Sequence, residues 1–171
     1  MSQLGWRLPH DLLATSIAIM RPHGVARNEG LALWLGTTDA ATRATVTHVV
    51  EVSGAGFVTS PQYLALSFRA LAALTELADR LGVYLVGQIH SHPGRFIDLS
   101  PIDIAQGIRV PNYLSLVCPY YAQRARTSLD ECGIHVFESG NFRRLPRPEA
   151  RRRIVIDETS VIRTVCEVRN D

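Results

Sequence analysis

The chain has 171 residues, 18 basic and 16 acidic side chains, and is 46% apolar and 20% charged. A formal charge of +2 excludes a polybasic nucleic-acid or membrane-surface protein, and the apolar content excludes a disordered, collagenous or low-complexity chain. The length suits one domain that buries roughly 70% of its unfolded surface and is too short for a TIM barrel of about 250 residues. From the N-terminus, Pro9 to about Met20 carries Leu12, Leu13, Ser16, Ile17 and Met20 at helical spacing, and Arg21-Pro22-His23-Gly24 reads as its stop. Glu29-Gly30-Leu31-Ala32-Leu33-Trp34-Leu35-Gly36 is a short apolar run closed by glycine, a buried strand. A second strand, rich in β-branched residues, follows at about 45–52. Ser60-Pro61 has the form of an N-cap and first helical residue, and predicts the longest helix, to about Leu81, with Gly82 as its stop.

Val83 to Ile89 is another strand-length apolar run and ends on His90-Ser91-His92-Pro93-Gly94. Ser100-Pro101 repeats the cap signature and predicts a short helix to about Gly107. Strands are expected at about 113–117 and 133–138. Residues 141–153 read as turn-like and heavily basic, with Arg143, Arg144, Arg147, Arg151, Arg152 and Arg153 against Glu149. A last strand is expected from about Arg153 to Ile156. The pattern is one α/β domain: residues 1–140 form its body and 141–171 a basic extension packed on it. Cys118, Cys132 and Cys166 are odd in number and lack C-x-x-C spacing, so neither a disulfide framework nor a cysteine-ligated zinc site is expected. There is no secretory signal and no 18-residue apolar window, which makes a cytoplasmic location the expectation.

The chemistry concentrates between residues 90 and 103. Residues two apart in an extended chain face the same side, so His90 and His92 at a strand end can offer two imidazoles to one ion, or can be two ordinary polar groups at a strand mouth. Ser100-x-x-Asp103 is a capping box, which would hold Asp103 on the first helical turn, ionised and aimed. Two histidines and a carboxylate with an open fourth position is the ligand set of catalytic zinc. Such a site needs a donor for the oxyanion, a role that Ser100 can fill, and an acidic base from another element.

His90-Ser91-His92-Pro93, seven residues, then Ser100-x-x-Asp103 resembles the JAMM motif, H-[ST]-H-P-x(7)-S-x-x-D, of the JAB/MPN metalloprotease family. The run Glu29 to Gly36 is similar to the segment that carries that family's catalytic glutamate. The resemblance spans about residues 7 to 138. It implies a cytidine-deaminase-like fold, a curved mixed sheet flanked by helices. It also implies one zinc ion on His90, His92 and Asp103, Glu29 as general base and then proton donor, and Ser100 on the oxyanion. The implied activity is that of an isopeptidase or peptidase cutting after the C-terminus of a ubiquitin-like modifier. The implied partners are that modifier's tail and its conjugates, and conjugating or activating enzymes of the same operon, antiphage systems included.

Departures lie in Gly94 to Leu99, where eukaryotic deubiquitinases of the family carry G-F-G-C-W-L, and in Gln88-Ile89, where aromatics commonly precede the first histidine. They bear on the substrate groove and leave the ligands intact. The competing readings are an MPN-type scaffold that has lost its ligands, none of which is missing here, and a RadC-like protein with a DNA-repair link. A zinc deaminase would need H-x-E and P-C-x-x-C, which do not occur. Glu51 rivals Glu29 as the base but has no glycine-closed apolar run behind it. Asp98 could orient a histidine or be a solvated loop acid. The arginine segment is either a solvated tail or a docking strip for an acidic partner; nucleic acid is not expected there, since few aromatics are interleaved. All 18 basic residues are arginine, as a GC-rich genome would write them. In a deconjugase, the lack of lysine would also leave the N-terminal amine as the only ordinary acceptor for the modifier.

Overall fold

The computed structural model describes residues 4–39, 43–162 and 164–169. Among them run β1 (Gly5–Pro9), α1 (Leu12–Val25), β2 (Leu31–Asp39), β3 (Arg43–Ser53), β4 (Phe57–Thr59), β5 (Leu64–Leu66), α2 (Phe68–Leu81), β6 (Tyr84–Ser91), α3 (Pro101–Gln106), β7 (Tyr113–Cys118), β8 (Gly133–Glu138), β9 (Asn141–Arg144), α4 (Arg147–Arg153), β10 (Ile154–Asp157) and β11 (Thr164–Arg169). The fold is mixed α/β, a curled sheet flanked by helices. Its strand order is β10-β1-β3-β2-β6-β7-β8-β9, with β11 also on β3; β4 and β5 form a separate hairpin. Pairing is antiparallel from β3 through β2 to β6, parallel between β6 and β7, and antiparallel again to β8 and β9.

Strand β2 shows why the middle of the sheet is apolar on both faces. Successive side chains point to opposite sides, so Ala32 and Trp34 join the cluster under α1 while Leu31, Leu33 and Leu35 join the one under α2. Ser16 of α1 accepts the Trp34 indole N–H at 2.9 Å, which satisfies a donor buried in that core.

Four expectations change. Helix α1 does not stop at Pro22 but runs on to Val25. A proline strips the carbonyl four residues back of its donor; here that residue is Ala18, on the solvent side of the helix. Helix α2 does not begin at Ser60-Pro61. The Ser60 hydroxyl accepts the N–H groups of Gln62 and Tyr63 at 3.3 and 3.1 Å, making the turn between β4 and β5. The N-cap of α2 is Ser67, which accepts the Ala70 N–H at 3.1 Å. Ser67→Ala should therefore lower stability by about 1 kcal/mol in urea unfolding, with the cooperativity of the transition unchanged. Helical content lost from Ser60→Ala instead would contradict this assignment.

The segment 141–153 is also more ordered than expected. It forms β9 and α4 instead of a turn-like stretch, and with β10 and β11 it adds strands to the sheet built by the earlier residues. Arg143 bonds the Glu149 carboxylate with two N–H groups at 2.7 and 2.9 Å, and also pairs with Glu138. Arg153 is buried, stacks on the Trp6 ring at 4.7 Å and reaches Glu149 at 3.0 Å. These two arginines are thus part of the packing of the C-terminal segment. Strands β1 and β11 were not anticipated. Among the described residues, no helix is long and apolar enough to cross a membrane.

Candidate metal centre

Strand β6 lies in the middle of the sheet, with His90 opposite Leu31 of β2 and Val117 of β7. The His92 N–H donates to Cys118 O at 2.9 Å, so the chain stays extended past the end of β6 and both imidazoles fall on one side. Their Nε2 atoms are 3.1 Å apart and both residues are buried. The third donor comes from α3 through the expected capping box: Ser100 Oγ accepts the Asp103 N–H at 3.1 Å, and Asp103 Oδ2 accepts the Ser100 N–H at 2.7 Å. The reciprocal cap aims Asp103 at the histidines, 3.1 Å from His92 Nε2 and 3.5 Å from His90 Nε2.

Three donors bound at about 2.0–2.1 Å to one tetrahedral ion stand about 3.3 Å from one another. The Nε2–Nε2 separation of 3.1 Å has that size, and the two carboxylate oxygens of Asp103 approach the same imidazoles, Oδ2 at 3.1 Å from His92 Nε2 and Oδ1 at 3.5 Å from His90 Nε2. The protonation pattern fits too. Phe96 O lies 2.9 Å from His92 Nδ1, the place for its N–H, and this leaves the Nε2 lone pair facing the cluster. The Phe96 ring stacks parallel to the imidazole at 5.8 Å and is 57% exposed, so it forms part of the rim. Among the described residues, His90, His92 and Asp103 are the one group of such side chains able to hold a metal ion.

Glu29 arrives from the sequence-distant start of β2. It is 1% exposed, and its Oε2 has no hydrogen-bond partner. Its backbone is held at both ends: its N–H donates to Ser60 O at 2.9 Å, and the Thr59 hydroxyl donates to its carbonyl. The next residue, Gly30, is tied to the histidine strand, its N–H to Ser91 Oγ at 2.9 Å and its O to the Ser91 N–H at 3.0 Å. A Cβ on Gly30 would stand 2.8 Å from the Cα of Met20, so only glycine lets the chain pass so close to α1.

The electrostatics follow from this crowding. Burial pushes the Glu29 carboxyl up; the His92 charge opposes the rise and the Asp103 charge adds to it, leaving the group at about 7. Burial also works against the Asp103 charge, but hydrogen bonds to His90 and His92 outweigh it and hold that carboxyl well below the usual range. His92 is raised: burial disfavours its charge, while its hydrogen bond to Asp103 and the charges of Asp103 and Glu29 prevail. A carboxylate that stays charged thus sits beside one poised near neutrality.

The structure brings Glu29, His90, His92, Ser100 and Asp103 together and keeps the other candidates apart. Glu51 lies on β3 opposite Glu167. Asp98 turns to His135 of β8 at 3.4 Å and to Arg144 of β9 at 2.5 Å, which pins the loop after Pro93 to the sheet. His10, His23, His48 and His135 stand outside the cluster. The residues the sequence did not single out are those that hold the site. Ser91 and Thr59 tie down the base and Phe96 fixes the His92 tautomer; of these only Ser91 had a signal, its place between the two histidines. Beside the cluster, a cavity of about 370 Å³ is lined by His90 and Asp103 together with Gln88, Ser115, Leu66 and Phe142.

No protein-family model matches the sequence. The chain is 26% identical over 149 residues to the probable metalloprotease y4jG of Sinorhizobium fredii, covering 87% of this chain and 92% of that one. Among solved structures it is similar to the solution structure of protein DSY2949 from Desulfitobacterium hafniense, with a TM-score of 0.64 and 19% identity over 90% of this chain and 93% of that one. This second likeness bears on the fold alone.

Proposed function

We propose that the protein is a zinc-dependent metallopeptidase of the JAB/MPN (JAMM) type, on a cytidine-deaminase-like fold, that cuts after the C-terminus of a ubiquitin-like modifier. The observation that carries the peptidase reading is the convergence of three donor atoms with an unpartnered, buried carboxylate, Glu29. Similarity to a probable metalloprotease supports it. His90, His92 and Asp103 would hold the ion, which when bound supplies Lewis acidity to the scissile carbonyl and acidifies water. Glu29, buried and with its Oε2 unpartnered, takes the proton of the attacking water and returns it to the leaving amine. The Ser100 oxygen is occupied as an acceptor by the Asp103 N–H, and its own proton is left to donate to the oxyanion.

The modifier as substrate rests on the resemblance of His90 to Asp103 to the JAMM motif. The same resemblance supports conjugating or activating enzymes as partners and an antiphage or related bacterial conjugation system as the setting. The test uses ubiquitin and bacterial ubiquitin-like proteins ending in glycine, each as an aminocoumarin amide and as a linear fusion. The zinc-loaded protein should release the tail product from at least one, lose the activity to a chelator and regain it with zinc. Cleavage of unstructured peptides but of no modifier would remove the ubiquitin-like part of the reading. Cleavage of neither would remove the peptidase.

A further inference from the structure

The segment after β7 turns the wrong way for L-residues. Tyr120, Tyr121 and Ala122 have φ of 56, 53 and 58°, one turn in the left-handed region. Side chains with a Cβ adopt that conformation at a cost, and it persists only where surrounding contacts impose it. The contacts here converge on Tyr121. Its N–H donates to His92 O at 2.7 Å, on the peptide of a proposed metal ligand. Its phenol donates to Pro61 O at 2.8 Å, in the turn whose Ser60 carbonyl and Thr59 hydroxyl hold the Glu29 backbone. Helix α1 makes room for it, because a Cβ on Gly24 would overlap Tyr121 O.

We infer that Tyr121 is a positioning residue that sets the placement of the Glu29 carboxylate against the His90–His92–Asp103 cluster. It is the strut between two parts of the site that belong to separate stretches of chain, the histidine loop and the 59–61 clamp. The inference rests on the proposed peptidase reading for its kinetic consequence and on hydrogen bonds alone for its structural one. Tyr121→Phe keeps the N–H to His92 and removes only the bond to the clamp. An error of about 1 Å in the placement of a reacting group costs on the order of a hundredfold in rate.

The experiment compares wild type with Tyr121→Phe in two ways. In amide hydrogen exchange on the metal-stripped proteins, the Glu29 amide should exchange at least about tenfold faster in the variant, with the amides of β6 unchanged. On a ubiquitin aminocoumarin amide, kcat should fall ten- to a hundredfold while KM and the zinc dissociation constant stay within about twofold. Wild-type exchange at Glu29 overturns the inference, as does a loss of zinc affinity that parallels the loss of kcat. If wild type cuts neither this probe nor any of the other modifier or peptide substrates, the peptidase reading fails and the exchange result alone decides the role of Tyr121; if it cuts another of them, the kinetic comparison is made on that substrate. If Tyr121→Phe does not fold, Thr59→Val severs the same chain of contacts at Glu29 and should give the same pattern.

Discussion

Glu29→Gln should lower kcat by about 10²- to 10⁴-fold, the range a positioned general base supplies, while retaining one zinc per chain. Glutamine fills the same volume in a site where Glu29 is 1% exposed, and Glu29 is not one of the three converging donors, so neither packing nor metal content should change. Wild-type activity should fall on the acid side as Glu29 takes up its proton, and the variant should lack that limb. The same residue makes a second, catalysis-free prediction for metal-stripped protein. Its carboxyl sits at about 7 in the folded state against an ordinary 4.5. Below pH 4.5 it is protonated folded and unfolded, and it costs the fold nothing. Between 4.5 and 7 the unfolded chain releases the proton first, so stability falls as pH rises, by about 3 kcal/mol once pH has passed 7. The difference in unfolding free energy between Glu29→Gln and wild type should therefore grow by that amount from pH 4.5 to 8. Wild-type kcat in the variant would remove Glu29 from the chemistry, and a flat difference would remove the burial argument.

How much of this was legible in the sequence follows from how local each feature is. His90, His92, Ser100 and Asp103 lie within one short stretch, and a period-two strand end plus a capping box are enough to bring their donor atoms together. Glu29 is a long-range arrival: Gly30 and Ser91, which bond to each other beside it, are 61 residues apart. Only the glycine-closed apolar run pointed to Glu29, because placing it required knowing that β2 pairs with β6. Ser60 and Ser67 show a different limit. Both are serines that accept backbone N–H groups three residues on, one in a turn and one in a helix cap, and Ser60-Pro61 carried the stronger local signature. Tertiary pairing decided for Ser67, since residues 64–66 are taken by the hairpin. Strands β1 and β11 are short, and both lie parallel to β3, so their partners are distant in the chain and no turn marks them. At Arg143 and Arg153 charge density suggested a solvated strip. Glu138 and Glu149 supply the counter-charges: Glu149 stands one helical turn before Arg153 on α4, and the β8–β9 hairpin brings Glu138 beside Arg143.

Removing a ligand should have the largest effect on metal binding. His92→Ala should weaken zinc by well over a hundredfold, since changes to groups that merely orient ligands already cost about 10–100-fold. His92 is the member with contacts on every side: Nε2 faces His90 and Asp103, Nδ1 faces Phe96 O, and the ring stacks on Phe96. Its loss takes a donor from the ion and removes one of the anchors of the loop after Pro93, the other being Asp98 on His135 and Arg144. The readout is thermal unfolding with and without zinc. An ion that binds only the folded chain, present at about 1,000 times its dissociation constant, adds about 4 kcal/mol, which for a domain of this size raises the melting temperature by about 8–16 °C. Wild type should show that shift and lose it to a chelator, whereas His92→Ala should show almost none at the same zinc concentration. The ordering against Glu29→Gln is the decisive part. Glu29→Gln should keep the full zinc shift and lose the chemistry, and His92→Ala should lose both. A full shift in His92→Ala would mean that the three converging donors are not where the metal binds.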